Sequence, residues 1–436
     1  MSDHTNPDNI VDLNIEDLDA EDLDTEDLDP TAADADAATQ PSAAAPLDVD
    51  MHEDRYHRLR LIQWWDQERL RDARMLVIGA GALGNEILKN IALLGIGRTM
   101  IVDLDHIEES NLTRSILFRA SDNGAEKAVV AARAAMEINP DIIAEGRSGD
   151  VNYDIGLGVF GEMDIVFGAL DNREARVTIN AACYKLGVPF IDGAIEVISG
   201  MVRVFTGAED QACYECTMSE LDYKLLNMRR SCALLTRDEI LEGKTPTTPT
   251  NSSVIGAIQV QEAVKLLHAD RELPTLAGRG YFFNGLTHDS YIVNYQRRED
   301  CPAHEKLDDI QALDRCSTEL TGAEALAIVR AEVSDKAIVE FHRELCTRLE
   351  CPECGGSEDY FQSLGRLTVK QAECPACGAM REPQLTHSLN GTEDYLDRTL
   401  AELGLPLYDI ITGRAGWDMK HFLIAGDREL ALGTIA

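Results

Sequence analysis

The 436-residue chain has no run of about 18 apolar residues, which excludes a membrane span. Its N-terminus lacks the basic-then-apolar order of a signal peptide, so export is not expected. Residues 1–54 contain no Lys, no Arg and no aromatic residue. They hold 18 of the 77 acidic residues, so the rest carries 59 acidic against 40 basic residues, a net charge near −19 within a total of −37. A nucleic-acid binder normally presents a basic face, and that class is set aside. Large apolar residues are also scarce in the first 54 positions. The tandem repeat from Ile15 to Asp29 and the Ala/Asp/Pro stretch to Asp50 cannot bury enough surface to offset ordering entropy, and residues 1–54 read as a disordered acidic tail.

Cysteine is not scarce. There are 11, an odd number, and six stand in three CxxC pairs. Secreted disulfide scaffolds are short; in a long chain without an export signal such pairs bind metal or carry out redox work, and a reducing cytoplasm is the expected compartment. Cys351, Cys354, Cys374 and Cys377 follow the spacing C-x2-C-x19-C-x2-C of a structural zinc ribbon. Four protein ligands leave no open position for catalysis. Cys213 and Cys216 form a third pair with no CxxC partner nearby. Cys183, Cys316 and Cys346 read as structural.

From Arg55 to about residue 309 the pattern alternates between strand and helix. Strands are expected at 75–79, 99–103, 164–171, 188–193 and 200–207, and helices at 85–95, 125–137, 173–186 and 254–267. Such alternation implies an α/β fold, a doubly wound and mostly parallel Rossmann-like sheet. Residues 310–436 change character and read as a second, α+β domain around the zinc ribbon. The Pro/Thr-rich segment 244–253 is expected to be irregular.

Gly79-Ala-Gly81-Ala-Leu-Gly84 follows a strand and opens a helix, the arrangement that lets backbone N–H groups approach phosphate. Asp103 lies 19 residues after Gly84 at the end of the next strand, where an acid can bond a ribose hydroxyl. Taken alone, these residues suit a nicotinamide dehydrogenase equally well. Asp103-Leu-Asp105 then leads into Asn111, Arg114 and Lys127, which supply donors and two cations suited to a triphosphate. Adenylyl transfer needs that neutralisation and hydride transfer does not. Asp171 ends a further strand at the same sheet edge, a place for a magnesium-binding acid.

At these residues the sequence resembles the ThiF/MoeB-type adenylation domain of ubiquitin-activating enzymes and their bacterial relatives. The matching segments are RYHRLRL (55–61), LVIGAGALG, DLDHIEESNLTR, NGAEKA, ALDNREAR (169–176), PFIDGAI (189–195), GMVRVF, CYEC (213–216), SVIGAIQVQEAVKLL (253–267) and DCPAH (300–304), in family order over roughly 250 residues. The resemblance implies magnesium-ATP-dependent adenylation of the C-terminal glycine of a β-grasp, ubiquitin-like protein. It implies that Gly79, Gly81 and Gly84 form the phosphate loop, that Asp103 holds the ribose with Asp105 beside it, and that Asn111, Arg114 and Lys127 bind phosphates. Asp171 would serve magnesium and the adenylate. Arg58 matches an arginine that the family lends to the neighbouring subunit, so a homodimer is implied. Ser115 departs from the family's usual glutamine.

The resemblance also supplies partners for the third cysteine pair: Cys301 and His304, with histidine where the family has a fourth cysteine, making a second structural zinc site. Cys232 follows Arg229-Arg230-Ser231, whose cations favour thiolate, and lies 16 residues after Cys216. That resembles the family's thioester-forming cysteine, and the thioester would pass to a conjugating enzyme; the plainer reading is a structural cysteine. The segment 244–253 resembles the family's crossover loop. Three further readings stand beside a full activating enzyme: a sulfur-carrier activator for cofactor synthesis, a catalytically inactive scaffold subunit and, weakest, a dehydrogenase.

Overall fold

A computed structural model describes residues 53–231 and 246–436. The acidic repeat and Cys232 lie outside the described residues. The first half is built on an eight-stranded sheet in the order β3-β2-β1-β4-β5-β6-β7-β8. Its strands are β1 (Arg74–Ile78), β2 (Arg98–Asp103), β3 (Ile143–Ser148), β4 (Ile165–Gly168), β5 (Phe190–Glu196), β6 (Ser199–Phe205), β7 (Arg279–Asn284) and β8 (Ser290–Asn294). β1 to β5 pair in parallel, whereas β6, β7 and β8 add an antiparallel meander. The sheet is therefore parallel from β3 through β5 and mixed as a whole.

The five central strands are short and apolar because both faces are covered. In β1 the side chains alternate between two cores. Met75 and Val77 meet Ile87, Leu88 and Ile91 of the helix α2 (Ala82–Leu94). Leu76 and Ile78 face the opposite layer, which holds Phe160 and Ile179. α1 (Gln67–Asp72), α3 (Lys127–Ile138), α4 (Leu157–Gly161), α5 (Arg173–Leu186), α6 (Glu220–Ser231) and α7 (Pro249–Leu267) complete the half. α7 begins five residues before the expected position, inside the segment expected to be irregular. Pro249 occupies the first turn, where it lacks no needed donor, and the Thr248 hydroxyl accepts from the Asn251 N–H as an N-cap.

The second half has a six-stranded sheet, β11-β10-β13-β14-β9 with β12 also on β10. The strands are β9 (Gln311–Leu313), β10 (Ile338–Glu350), β11 (Ser357–Ser363), β12 (Glu382–Leu389), β13 (Ile410–Ala415) and β14 (Asp418–Ile424). Its core gathers Val329 of the helix α8 (Gly322–Glu332) with Val339, Ile411 and Phe422. The chain then returns to the first sheet. Tyr408, Ile410, Leu432 and Ile435 share one buried cluster with Leu76, Ile78, Met100 and Val102, so the core runs across the expected junction at 309/310. Polar ties reinforce it: Glu162 pairs with Arg428 at 2.7 Å, and the buried Asp409 accepts from the Leu157 N–H and pairs with Arg343 at 3.2 Å. No helix among the described residues is long and apolar enough to cross a membrane.

Candidate functional site

The strand order reverses between β1 and β4, which opens a crevice at the carboxyl ends of these two strands. The glycine loop lines it. Gly79 has φ +97°, and a Cβ there would lie 2.4 Å from the Ala169 carbonyl oxygen, so only glycine fits between the ends of β1 and β4. A Cβ on Gly84 would meet the Gly79 carbonyl at 1.9 Å, which lets α2 press onto the loop. Gly81 differs, because a Cβ there would meet nothing within 4 Å. It is the N-cap of α2 and offers no side-chain cap, leaving the helix's first N–H groups beside open space. The three glycines are thus together in one loop, with the geometry of an anion-binding helix start.

Asp103 closes β2 and braces the loop. One carboxylate oxygen accepts from the Ala80 N–H at 2.6 Å and the other from the Asp105 N–H at 2.8 Å. Burial pushes its pKa upward, against the pull of Lys127. Lys127 starts α3, and its ammonium, only 12% exposed, pairs with Asp105 at 2.9 Å. Asn111 is buried, and its carbonyl accepts from the Glu108 N–H within a capping box. Arg114 is half-buried and holds the Ser110 carbonyl at 2.8 Å. Asp171 is exposed beyond β4 and has no hydrogen bond or ion pair among the described residues. Its neighbour Asn172 caps α5 by accepting from the Ala175 N–H. Arg58 is exposed in the segment leading to α1, apart from the residues of the loop. Ser115 is buried with its hydroxyl unpartnered among the described residues.

Two sulfur-rich clusters lie elsewhere. The ligand atoms of Cys213, Cys216, Cys301 and His304 lie within 4.8 Å of one another, and so do those of Cys351, Cys354, Cys374 and Cys377. Cys213 Sγ is 3.8 Å from Cys216 Sγ and 3.6 Å from Cys301 Sγ, and His304 Nε2 is 3.3 Å from Cys216 Sγ. In the other group Cys351 meets Cys377 at 3.5 Å and Cys354 meets Cys374 at 3.6 Å. These separations are far beyond a disulfide bond and match the edge of a zinc–thiolate tetrahedron, about 3.8 Å for zinc–sulfur distances near 2.3 Å. Both donor sets therefore fit zinc. The hydrogen bond from Cys301 holds the Cys213 thiol below the ordinary cysteine value, and the backbone N–H groups of Ala376 and Cys377 do the same for Cys374, the direction that suits thiolate ligation. His304 stacks on Tyr184 of α5 at 4.8 Å between centroids, and the Arg298 N–H donates to Cys216 Sγ.

Several residues of the site carry no motif signal. Asp192 in β5 is fully buried and takes hydrogen bonds from Arg176 and Arg203; Arg176 also donates to the carbonyls of Leu170 and Gly193, which fixes the chain just before Asp171. Gln259 of α7 donates to the carbonyls of Gly168 at the end of β4 and Ile191 near the start of β5. Asn85 is equally buried in α2. At Gln259 the available sign was a polar residue on the same inward helix face as Ile255, Val260 and Ala263.

The ThiF family model matches residues 53–303. The SAMP-activating enzyme E1 of Haloferax volcanii is 30% identical over 259 residues, covering 58% of this chain and 90% of that protein. The sulfur carrier protein adenylyltransferase of Thermus thermophilus is also 30% identical, over 57% of this chain and 89% of its own length. The molybdopterin-synthase adenylyltransferase of Salmonella typhimurium is 32% identical, over 49% and 81% respectively. With a glycine loop, a braced acid and the half-buried Lys127 gathered at one sheet edge, and with relatives matched over most of their length, the chain belongs to the ThiF family.

Proposed function

We propose that the chain uses magnesium ATP to adenylate the C-terminal glycine of a ubiquitin-like β-grasp protein, releasing pyrophosphate. The observation that carries this reading is the convergence at one sheet edge of an uncapped helix start at Gly81, the Lys127 ammonium and the unpartnered Asp171 carboxylate. The first N–H groups of α2 take up phosphate charge, Asp103 faces a ribose, Lys127 and Arg114 neutralise the polyphosphate as pyrophosphate leaves, and Asn111 donates a hydrogen bond to it. Asp171 would hold magnesium, which screens the phosphates so that a carboxylate can approach the α-phosphorus. The mixed anhydride so formed gives the glycine carboxylate a good leaving group.

Cys232 directly follows α6, and the first turn of α6 is tied to the site because Asp222 pairs with Arg173, two residues beyond Asp171. Arg229 and Arg230 precede Cys232 in the sequence, and such cations favour the thiolate that would attack the adenylated tail. We assign thioester formation to Cys232, with transfer onward to a conjugating enzyme. The name of the Thermus relative, a sulfur carrier protein adenylyltransferase, favours a second reading, in which this chain activates a sulfur carrier and Cys232 forms no thioester. Arg58 and the neighbouring Leu61 are exposed beside each other, which suits a homodimer in which Arg58 serves the other subunit's ATP. Each cysteine-rich group would hold one structural zinc, and residues 310–436, with the second of them, would form a recruitment module docked on the adenylating half.

The test is ATP–pyrophosphate exchange with purified β-grasp proteins ending in glycine. Exchange that requires the β-grasp protein and is lost in Asp171→Ala supports the reading, and its absence with every such protein overturns it. A reductant-sensitive adduct on Cys232 separates the conjugation reading from the sulfur-carrier one.

A further inference from the structure

Asn85 is fully buried in the first turns of α2, a helix whose other inward residues are apolar apart from Glu86. Its carboxamide joins two segments that no regular pairing connects. The Nδ2 group donates to the carbonyls of Ala80 at 2.7 Å and Gly81 at 3.0 Å, while Oδ1 accepts from the Leu117 N–H at 2.8 Å. Ala80 and Gly81 are the centre of the phosphate loop. Leu117 ends the irregular stretch 109–118 that carries Asn111 and Arg114, held otherwise by short turns and by the burial of Leu117 and Phe118.

We infer that Asn85 is a positioning residue that sets the distance between the phosphate loop and Arg114, and so the register in which the arginine meets the nucleotide's phosphates. The inference rests on the adenylation reading and deepens it. An amide is suited to the task because one end must donate twice and the other accept once. Aspartate cannot donate to the two carbonyls, and leucine satisfies neither side. The geometry also fixes the side chain itself: three hydrogen bonds in a buried site leave it one orientation, and a shift of about 1 Å in the arginine would matter for a group that acts by placement.

The experiment is a double-mutant cycle of Asn85→Ala and Arg114→Ala in the full-length protein, read by ATP–pyrophosphate exchange with a β-grasp protein ending in glycine. The expected result is that Asn85→Ala raises the KM for magnesium ATP by roughly tenfold, yet changes it less than about twofold once Arg114 is already alanine. A purely structural role would lower the active fraction at unchanged KM, and its effect would be the same in both backgrounds; that outcome overturns the inference. If Asn85→Ala does not yield soluble protein, Asn85→Ser, which retains a small donor and acceptor, takes its place in the cycle. Insolubility of both variants would show a folding role and also overturn it. An Arg114→Ala variant with wild-type exchange would contradict the adenylation reading's use of Arg114, an outcome distinct from additive effects in an otherwise responsive cycle.

Discussion

Lys127 and Asp171 separate function from stability at the level of single side chains. The Lys127 ammonium pairs with the well-exposed Asp105 and also attracts Asp103, and Asp171 has no hydrogen bond or ion pair among the described residues. Replacing either by alanine should lower the unfolding free energy by less than about 0.5 kcal/mol. Loss of the charge at a developing anion should nevertheless reduce pyrophosphate exchange by about 100-fold or more. Thermal unfolding and exchange measured on the same preparations check this, and a large loss of stability would assign both residues to the scaffold. The cysteines make the opposite case. Cys354→Ser should reduce bound zinc from two atoms per chain to one by elemental analysis, with a fall in unfolding temperature, because ligation contributes folding energy. Two zinc atoms retained in the variant would contradict the assignment. These residues differ in how plainly the sequence announces them. Four cysteines in paired spacing need only arithmetic, and the glycines follow a strand in a fixed pattern. His304 emerges only through resemblance, since a lone histidine 88 residues from its cysteine pair has no local signature. Asn85 is hidden because a polar residue in the first turn of a helix normally faces solvent.

Among the secondary elements, α5 and β10 meet through a buried hydrogen-bond chain. The Lys185 ammonium donates to His342 Nδ1 at 2.9 Å, so His342 carries its proton on Nε2 and donates to the Thr412 hydroxyl at 3.1 Å, which in turn donates to His421 Nδ1 at 2.9 Å. Burial and the facing Lys185, His421, Arg343 and Arg414 hold the His342 pKa down at about 3, while Glu305 pairs with Lys185 from the other side. Such a histidine contributes full stability above its unfolded pKa near 6.5, and that stability falls as pH drops towards 3 because the unfolded chain binds the proton first. At pH 5.5 the loss from this group should be on the order of 1 kcal/mol relative to pH 7.5. His342→Gln should show a pH slope shallower by that amount in denaturant unfolding, and an unchanged slope would refute it. Elements of this kind were legible where they are apolar or capped. β1, β2, β4 and the whole of α5 follow from hydrophobic runs and helical spacing. β3 escaped because its residues, IAEGRS, are largely polar and half-exposed at a sheet edge. α7 was read too short because a Pro/Thr-rich stretch signals a loop unless the proline falls in the first turn.

Over the molecule as a whole, the two sheets share a core through Tyr408, Ile410, Leu432 and Ile435. A chain truncated after residue 309 should therefore expose the Leu76 and Ile78 side of the sheet and aggregate, so that the recruitment proposed for residues 310–436 is better probed by surface substitutions than by deletion. Soluble, monodisperse truncated protein with intact exchange would contradict the shared core. The net charge of −37 adds a second molecular property. Self-repulsion on that scale is screened as the Debye length shrinks from about 10 Å at 0.1 M salt to about 3 Å at 1 M. The unfolding temperature should rise between those salt concentrations, and a fall would show that attractive surface pairs dominate. Activation of a ubiquitin-like tail remains the central claim, and intact-mass spectrometry under non-reducing conditions tests it most directly. The protein, magnesium ATP and a β-grasp protein ending in glycine are mixed, with Cys232→Ala in parallel. The account predicts an adenylated partner in both samples and a reductant-sensitive protein–protein adduct in the wild type alone. A partner whose mass is unchanged, with no adenylate and no adduct, would contradict it.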